Sequence, residues 1–263
     1  MITVSNLARP HRPPARAKGS VRLASLDVEW TKNRRIKNGN KPFCFSLVWM
    51  DLPRRGPVAL PASGYGFTSV YVEDPQEVGA LMELAGRAVR SALDGADYLV
   101  GHQLCADLGV LTAHAAPPPV TEAREAWRRR RTPQDSDPHI LDTRYDAGHL
   151  LAQASRRLVD VCTELQLDVT QPELRSTSMT ALHRRWLEKD DATARERISV
   201  LNLRHSLSTA FVAARAAGLA TWSRPVNVNR ILAHGATGAW PWLNSPTFTA
   251  LLEEPCPSAP ARS

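Results

Sequence analysis

The sequence has no apolar run approaching the roughly 20 residues that cross a bilayer, and no apolar stretch follows the basic residues near its start. A soluble, cytoplasmic protein with no membrane partner is therefore expected. Cysteine is scarce. Cys44, Cys105, Cys162 and Cys256 are scattered, and no C-x-x-C spacing occurs, which argues against a zinc ribbon or a disulfide framework. They read as small buried hydrophobes. Residues 1–19 contain no acidic side chain and no hydrophobic period, only Arg9, Arg12, Arg16 and Lys18 among Pro10, Pro13 and Pro14. That composition predicts a disordered basic arm.

What is present suits one α/β core with appendages: 263 residues, 43% of them hydrophobic, exceed a typical domain and fall short of two. The core is assigned to residues 20–219 and a C-terminal extension to 220–263. A formal charge of +7 and a pI near 9.6 suit a polyanionic partner such as nucleic acid. An Arg- and Ala-rich composition gives the same balance without one, so charge alone does not choose between them.

Along the chain, strands are expected at Val21–Glu29, Phe43–Met50 and Phe67–Val72. They are joined without an intervening helix and so form an antiparallel meander. A basic segment, Lys32, Arg34, Arg35, Lys37 and Lys41, lies between the first two, with Asn38-Gly39-Asn40 as its turn. From Pro75 the apolar period becomes helical, up to Leu93; Tyr98–Gly101 is then a strand and His102–His114 a helix, and such alternation implies parallel strands covered by helices. Residues 115–138, with Pro117-Pro118-Pro119, Trp127 and the run Arg128–Arg131, form an excursion with a short basic helix. It is either a solvated charge run or a phosphate-contacting flap. His139–Thr143 is the last strand. Helices follow at Ser155–Leu167 and Ala192–Ala217 with a polar segment Met179–Lys189 between them, and the tail with Trp222, Trp240 and Trp242 packs over the core and frays from Pro255.

Two stretches carry chemistry. In Leu23–Thr31, L-A-S-L-D-V-E-W-T, an apolar run leads into Asp27 and Glu29, and the period of two sends both carboxylates to one face of a strand. Like charges so held are either solvated at a strand end or neutralised by a cation. D-x-E alone is common and fits either. Asp107 lies in V-G-H-Q-L-C-A-D-L, Val100–Leu108, where a strand hands over to a helix, well placed for a site at the C-terminal edge of a parallel sheet.

Taken together, these phrases resemble the motifs of the DEDD 3′–5′ exonucleases. Asp27, Glu29 and Thr31 match the first motif. Asp107, preceded by His102-Gln103, matches the second, in which a His-Asn pair is usual. Leu141-Asp142-Thr143 is similar to the D-T strand that follows, and Arg157–Leu165 to the helix after it; the likeness runs in the family's order from Leu23 to Gly218. It implies an α/β, ribonuclease H-like fold: a mixed five-stranded sheet, three antiparallel strands then parallel strands, flanked by helices. It also implies hydrolysis of nucleic-acid phosphodiesters from a DNA or RNA 3′ end. One or two ions of Mg²⁺ or Mn²⁺, about 4 Å apart when paired, would be held by Asp27, Glu29 and Asp107. Thr31, His102, Arg204 and Thr209 would contact nucleic acid, and His205 would serve as general base.

The chain departs from the family at the last motif, a His followed five residues later by Asp. The matching stretch, Asn202–Ala210, offers either Arg204 with Thr209 or His205 with Ala210, and in both registers the fourth carboxylate is missing. Asp190, Asp191 and Glu196 lie turns earlier and are poor substitutes. A nuclease with an altered site and a nuclease-like module that only binds nucleic acid or a partner are thus both consistent with the residues.

Overall fold

The structure, a computed structural model, describes residues 1–10, 12–31, 39–60, 64–113, 117–135 and 137–253. Lys32, Arg34, Arg35, Lys37 and Asn38 of the expected basic turn lie outside the described residues, as do Cys256 and the expected frayed end.

Alternation along one strand organises the architecture. In β2, Ser20–Thr31, the side chains of Ala24, Leu26 and Val28 enter one apolar core, while Leu23 enters another on the opposite face. The strand is buried on both sides, and Asp27 and Glu29 interrupt its second face. Around it stand β1 (Ile2–Ser5), β3 (Lys41–Pro53), β4 (Gly66–Tyr71), β5 (Tyr98–Gly101) and β6 (Ile140–Asp142), in the order β1-β4-β3-β2-β5-β6. The pairs β1–β4, β4–β3 and β3–β2 are antiparallel, and β2–β5 and β5–β6 parallel. The antiparallel meander and the parallel half follow the sequence pattern; the sheet has six strands rather than five.

The sixth strand corrects the expected disordered arm. Ile2–Ser5 pairs residue by residue with Thr68–Tyr71, and beyond it Asn6 Oδ1 accepts from the Phe67 amide at 2.8 Å, while Arg16 pairs with Asp97. Most of residues 1–19 are therefore held on the body.

Helices cover both faces. On the side of Leu26 lie α1 (Val78–Gly95), α2 (Leu104–Thr112), α3 (Pro118–Arg129) and the buried Leu182 and Trp186 of α5 (Met179–Lys189). The basic excursion is thus a packed three-turn helix, with Val120, Ala123 and Ala126 buried. On the side of Leu23 lie α4 (Leu158–Glu164), shorter than its apolar period suggests, α6 (Ala192–Ala216), and α7 (Val228–Gly235). Beyond residue 219 the chain adds α7 and short helical turns at Pro241–Asn244 and Pro246–Thr249, and Trp222, Trp240 and Phe248 belong to the same core as Leu23 of β2. Among the described residues, no helix is long and apolar enough to cross a membrane.

Candidate metal centre

Three elements meet at the C-terminal end of β2. The strand supplies Asp27 and Glu29 two residues apart, on one face. Directly after Glu29 the β2–β3 ladder loses register: Glu29 pairs with Cys44 and Trp30 with Pro42, so Phe43 is the extra residue of a bulge. The extra residue belongs to β3, so that strand bends beside the end of β2. Opposite lies α6, whose period of 3.6 puts Asn202, His205, Ser206 and Thr209 on the sheet side. Ser206 Oγ lies 2.6 Å from Ser46 Oγ, and Asn202 Nδ2 donates to Asp27 Oδ2 at 2.6 Å and to the Asp27 carbonyl at 3.2 Å.

His205 faces both carboxylates. Its Nδ1 is 3.7 Å from Asp27 Oδ2 and 3.4 Å from Glu29 Oε1, with side-chain exposures of 21% for His205, 14% for Asp27 and 17% for Glu29. One ligand atom from each of the three residues lies within 4.8 Å of the others. Burial disfavours a charge on the ring, but the interactions with Asp27 and Glu29 outweigh it and lift the imidazole to about 10. A ring so poised is an imidazolium at neutral pH.

Asp107 stands outside this cluster of three. It is buried at 4% exposure in α2, and its Oδ2 has no hydrogen-bond partner among the described residues. Burial first, then the negative charges of Asp27, Glu29 and Asp142, push its carboxyl well above the usual range. Orphaned buried oxygens are uncommon because desolvation is costly. A cation held by Asp27, Glu29 and His205 would relieve the repulsion among these carboxylates, so the donor set fits a divalent metal.

The neighbouring residues have other employment. His102 is locked between Thr143 Oγ1 and the Arg156 carbonyl, both at 2.9 Å, and burial lowers its ring to about 4. Asp142, fully buried, accepts from the Gln103 amide at 2.8 Å and from Trp127 Nε1 at 2.8 Å, which braces the start of α2. Gln103 holds a left-handed φ of 65° at that corner, uncommon for a residue with a side chain. Thr31 lies at the strand end, with Oγ1 donating to the Lys41 carbonyl at 3.4 Å.

Arg204 is corrected outright. It is fully buried; its guanidinium grips both oxygens of Glu173 at 2.8 and 2.7 Å and donates to Asn229 Oδ1 at 2.6 Å, so no phosphate can reach it. Thr209 is also buried, and its Oγ1 lacks a partner among the described residues, which removes it from any surface that touches nucleic acid. Asp191 caps α6 through the Ala194 amide, Glu196 accepts from the Trp242 amide, and Asp190 ends α5, so none of them replaces the missing carboxylate. In the basic run Arg129 pairs with Asp137 at 2.7 Å, while Arg130 pairs with Asp146 and covers the Trp127 ring. Those two cations serve the fold.

Asn202 and Gln171 were not visible as site residues in the sequence. Gln171 Nε2 lies 3.0 Å from His205 Nε2, and it comes from a turn 34 positions away with no motif around it. Asn202 is a polar residue in an otherwise apolar helical run, V-L-N-L, and that was the available signal. Comparison with protein-family models and with curated proteins finds no match for the chain.

Proposed function

We propose that the chain is a metal-dependent 3′–5′ exonuclease with a ribonuclease H-like core, acting on nucleic acid with Asp27, Glu29 and Asp107 as its metal-holding carboxylates. The observation that carries the reading is the meeting of Asp27, Glu29 and His205 at the C-terminal end of β2, with the orphaned, buried Asp107 carboxyl within the electrostatic reach of both acids. The strand order, an antiparallel meander leading into parallel strands, is compatible with that fold. A bound Mg²⁺ or Mn²⁺ supplies Lewis-acid charge at the phosphodiester and acidifies a water at neutral pH.

The chain's own residues do the positioning. Asn202 fixes Asp27 Oδ2, the oxygen that faces His205. Asp142 with Gln103 sets the start of the helix that carries Asp107.

The test is incubation of the purified protein with a 3′-labelled oligonucleotide and Mn²⁺. Stepwise shortening is expected, lost with chelator and in Asp27→Asn; no shortening, or equal shortening by Asp27→Ala, overturns the reading. One observation favours a second possibility. The helix offers buried Thr209 in place of the family's fourth carboxylate, which suits a module that retains binding without cleavage. Such a module binds the oligonucleotide unchanged by chelator and progressively less as salt rises.

A further inference from the structure

The spacing around His205 is informative in itself. At 3.4 and 3.7 Å, its Nδ1 stands farther from the two carboxylate oxygens than the 2.7–3.2 Å of an N–H···O hydrogen bond, yet it points at both. Donors sharing one ion stand at such distances: with bonds of about 2.0–2.1 Å, tetrahedral neighbours are about 3.4 Å apart. All three ligand atoms fall within 4.8 Å of one another, so small rotations of the side chains suffice to close the set.

A supporting layer is in place for both kinds of donor. Asn202 Nδ2 holds Asp27 Oδ2 at 2.6 Å. The Gln171 amide lies 3.0 Å from the far ring nitrogen, Nε2, and an amide can turn either its N–H or its C=O to a partner. With the carbonyl presented, Nε2–H donates, and a cation entering between the ring and the carboxylates would displace the Nδ1 proton and take up its lone pair. Metal-ligating histidines are oriented by an outer partner of this kind.

We propose that His205 is itself a ligand of the cation, completing a one-imidazole, two-carboxylate site that prefers a first-row transition dication from Mn²⁺ to Zn²⁺ over Mg²⁺. The inference rests on Asp27 and Glu29 being a metal site, and not on nuclease activity. Its chemistry follows from the donors. Mg²⁺ demands a near-octahedral shell of oxygens, whereas imidazole suits the later ions of the row.

The experiment uses the full chain, with Mn²⁺, Co²⁺ and Mg²⁺ titrated calorimetrically and the bound Mn²⁺ examined by electron spin-echo modulation, which detects a coordinated ¹⁴N. Mn²⁺ is expected to bind at least about tenfold more tightly than Mg²⁺ and to show ¹⁴N coupling. His205→Gln, checked for fold by circular dichroism, should lose the coupling and at least about tenfold in Mn²⁺ affinity, with Mg²⁺ changed little. Tight Mn²⁺ binding without ¹⁴N coupling in the wild-type protein, or unaltered Mn²⁺ affinity in His205→Gln, overturns the assignment of His205 while leaving the carboxylate site standing. Failure of the wild-type protein to bind any of the three ions overturns both.

Discussion

Arg204 and His205 are adjacent on α6, and about 100° of helical rotation sends them to different tasks. His205 looks onto the carboxylates of β2, whereas Arg204 is sealed against Glu173, Asn229 and the Phe248 ring. Burial alone would raise the Glu173 carboxyl, but the charge and hydrogen bonds of Arg204 reverse this and hold it below its ordinary value. Neither member has water to fall back on, so removing one leaves the other as an uncompensated buried ion. Arg204→Ala should therefore cost about 3–5 kcal/mol in urea unfolding. Arg204→Met with Glu173→Met should recover most of that loss, because a packed apolar pair carries no desolvation penalty. If Arg204 instead served as a phosphate contact, the single variant would keep its stability and lose affinity for nucleic acid.

At the scale of elements, α5 is fastened to the sheet through a histidine. His183 stacks on Phe43 of β3 with ring centroids 4.0 Å apart, and its Nδ1 meets the Tyr71 hydroxyl of β4 at 2.7 Å. Burial keeps the Tyr71 hydroxyl protonated, so it donates and the imidazole accepts. Burial also lowers the His183 ring to about 4 from an ordinary 6.5, while Lys41, Arg184 and Glu188 line the cavity beside it. Above pH 6.5 the ring is neutral in both folded and unfolded chains and stability does not depend on it. As pH falls from 6.5 to 4 the unfolded chain takes up a proton that the folded chain refuses, and about 3 kcal/mol of stability is lost on the way. His183→Asn keeps an acceptor for Tyr71 but cannot titrate. Urea titrations between pH 7 and 4 should therefore show a shallower fall for this variant; an equal fall would remove His183 as the cause.

Elements with a strong local period were legible from residues alone: the alternation in β2, the helical spacing of α1, the strand Tyr98–Gly101 and the long α6. Ile2–Ser5 was not, because four residues ahead of a proline-rich stretch carry no extended pattern, and that strand exists through pairing with Thr68–Tyr71. At the candidate centre, Asp27 and Glu29 stood out in the sequence as paired carboxylates at a strand end, whereas Asp107, which the sequence also singled out, lies on a helix outside the cluster of three. The function of Asn202 depends on Asp27, 175 positions away, and that of Arg204 on Glu173, 31 positions away, so spacing on the helix itself contained neither.

For the whole molecule, the chain beyond residue 219 is part of the core rather than an appendage. Trp222, Val226, Val228, Leu232, Trp240, Leu243, Phe248 and Leu251 are buried in the cluster that also holds Leu23 of β2 and Leu203, Leu207 and Phe211 of α6. Each such side chain contributes roughly 1.5–3 kcal/mol through burial, so their sum is comparable with the entire stability of an ordinary domain. The same stretch supplies Asn229 and Trp242 to the Arg204–Glu173 pair, and that pair braces the helix presenting His205. A chain ended at Gly218 would uncover one face of α6 and leave a buried ion pair half-satisfied. It should lack a cooperative thermal transition, bind a hydrophobic dye and lose any affinity for Mn²⁺. A chain ended at Glu253 retains every one of these contacts and should keep a cooperative thermal transition. Comparable melting of the two truncations would show that the sheet and α6 stand without the C-terminal cover.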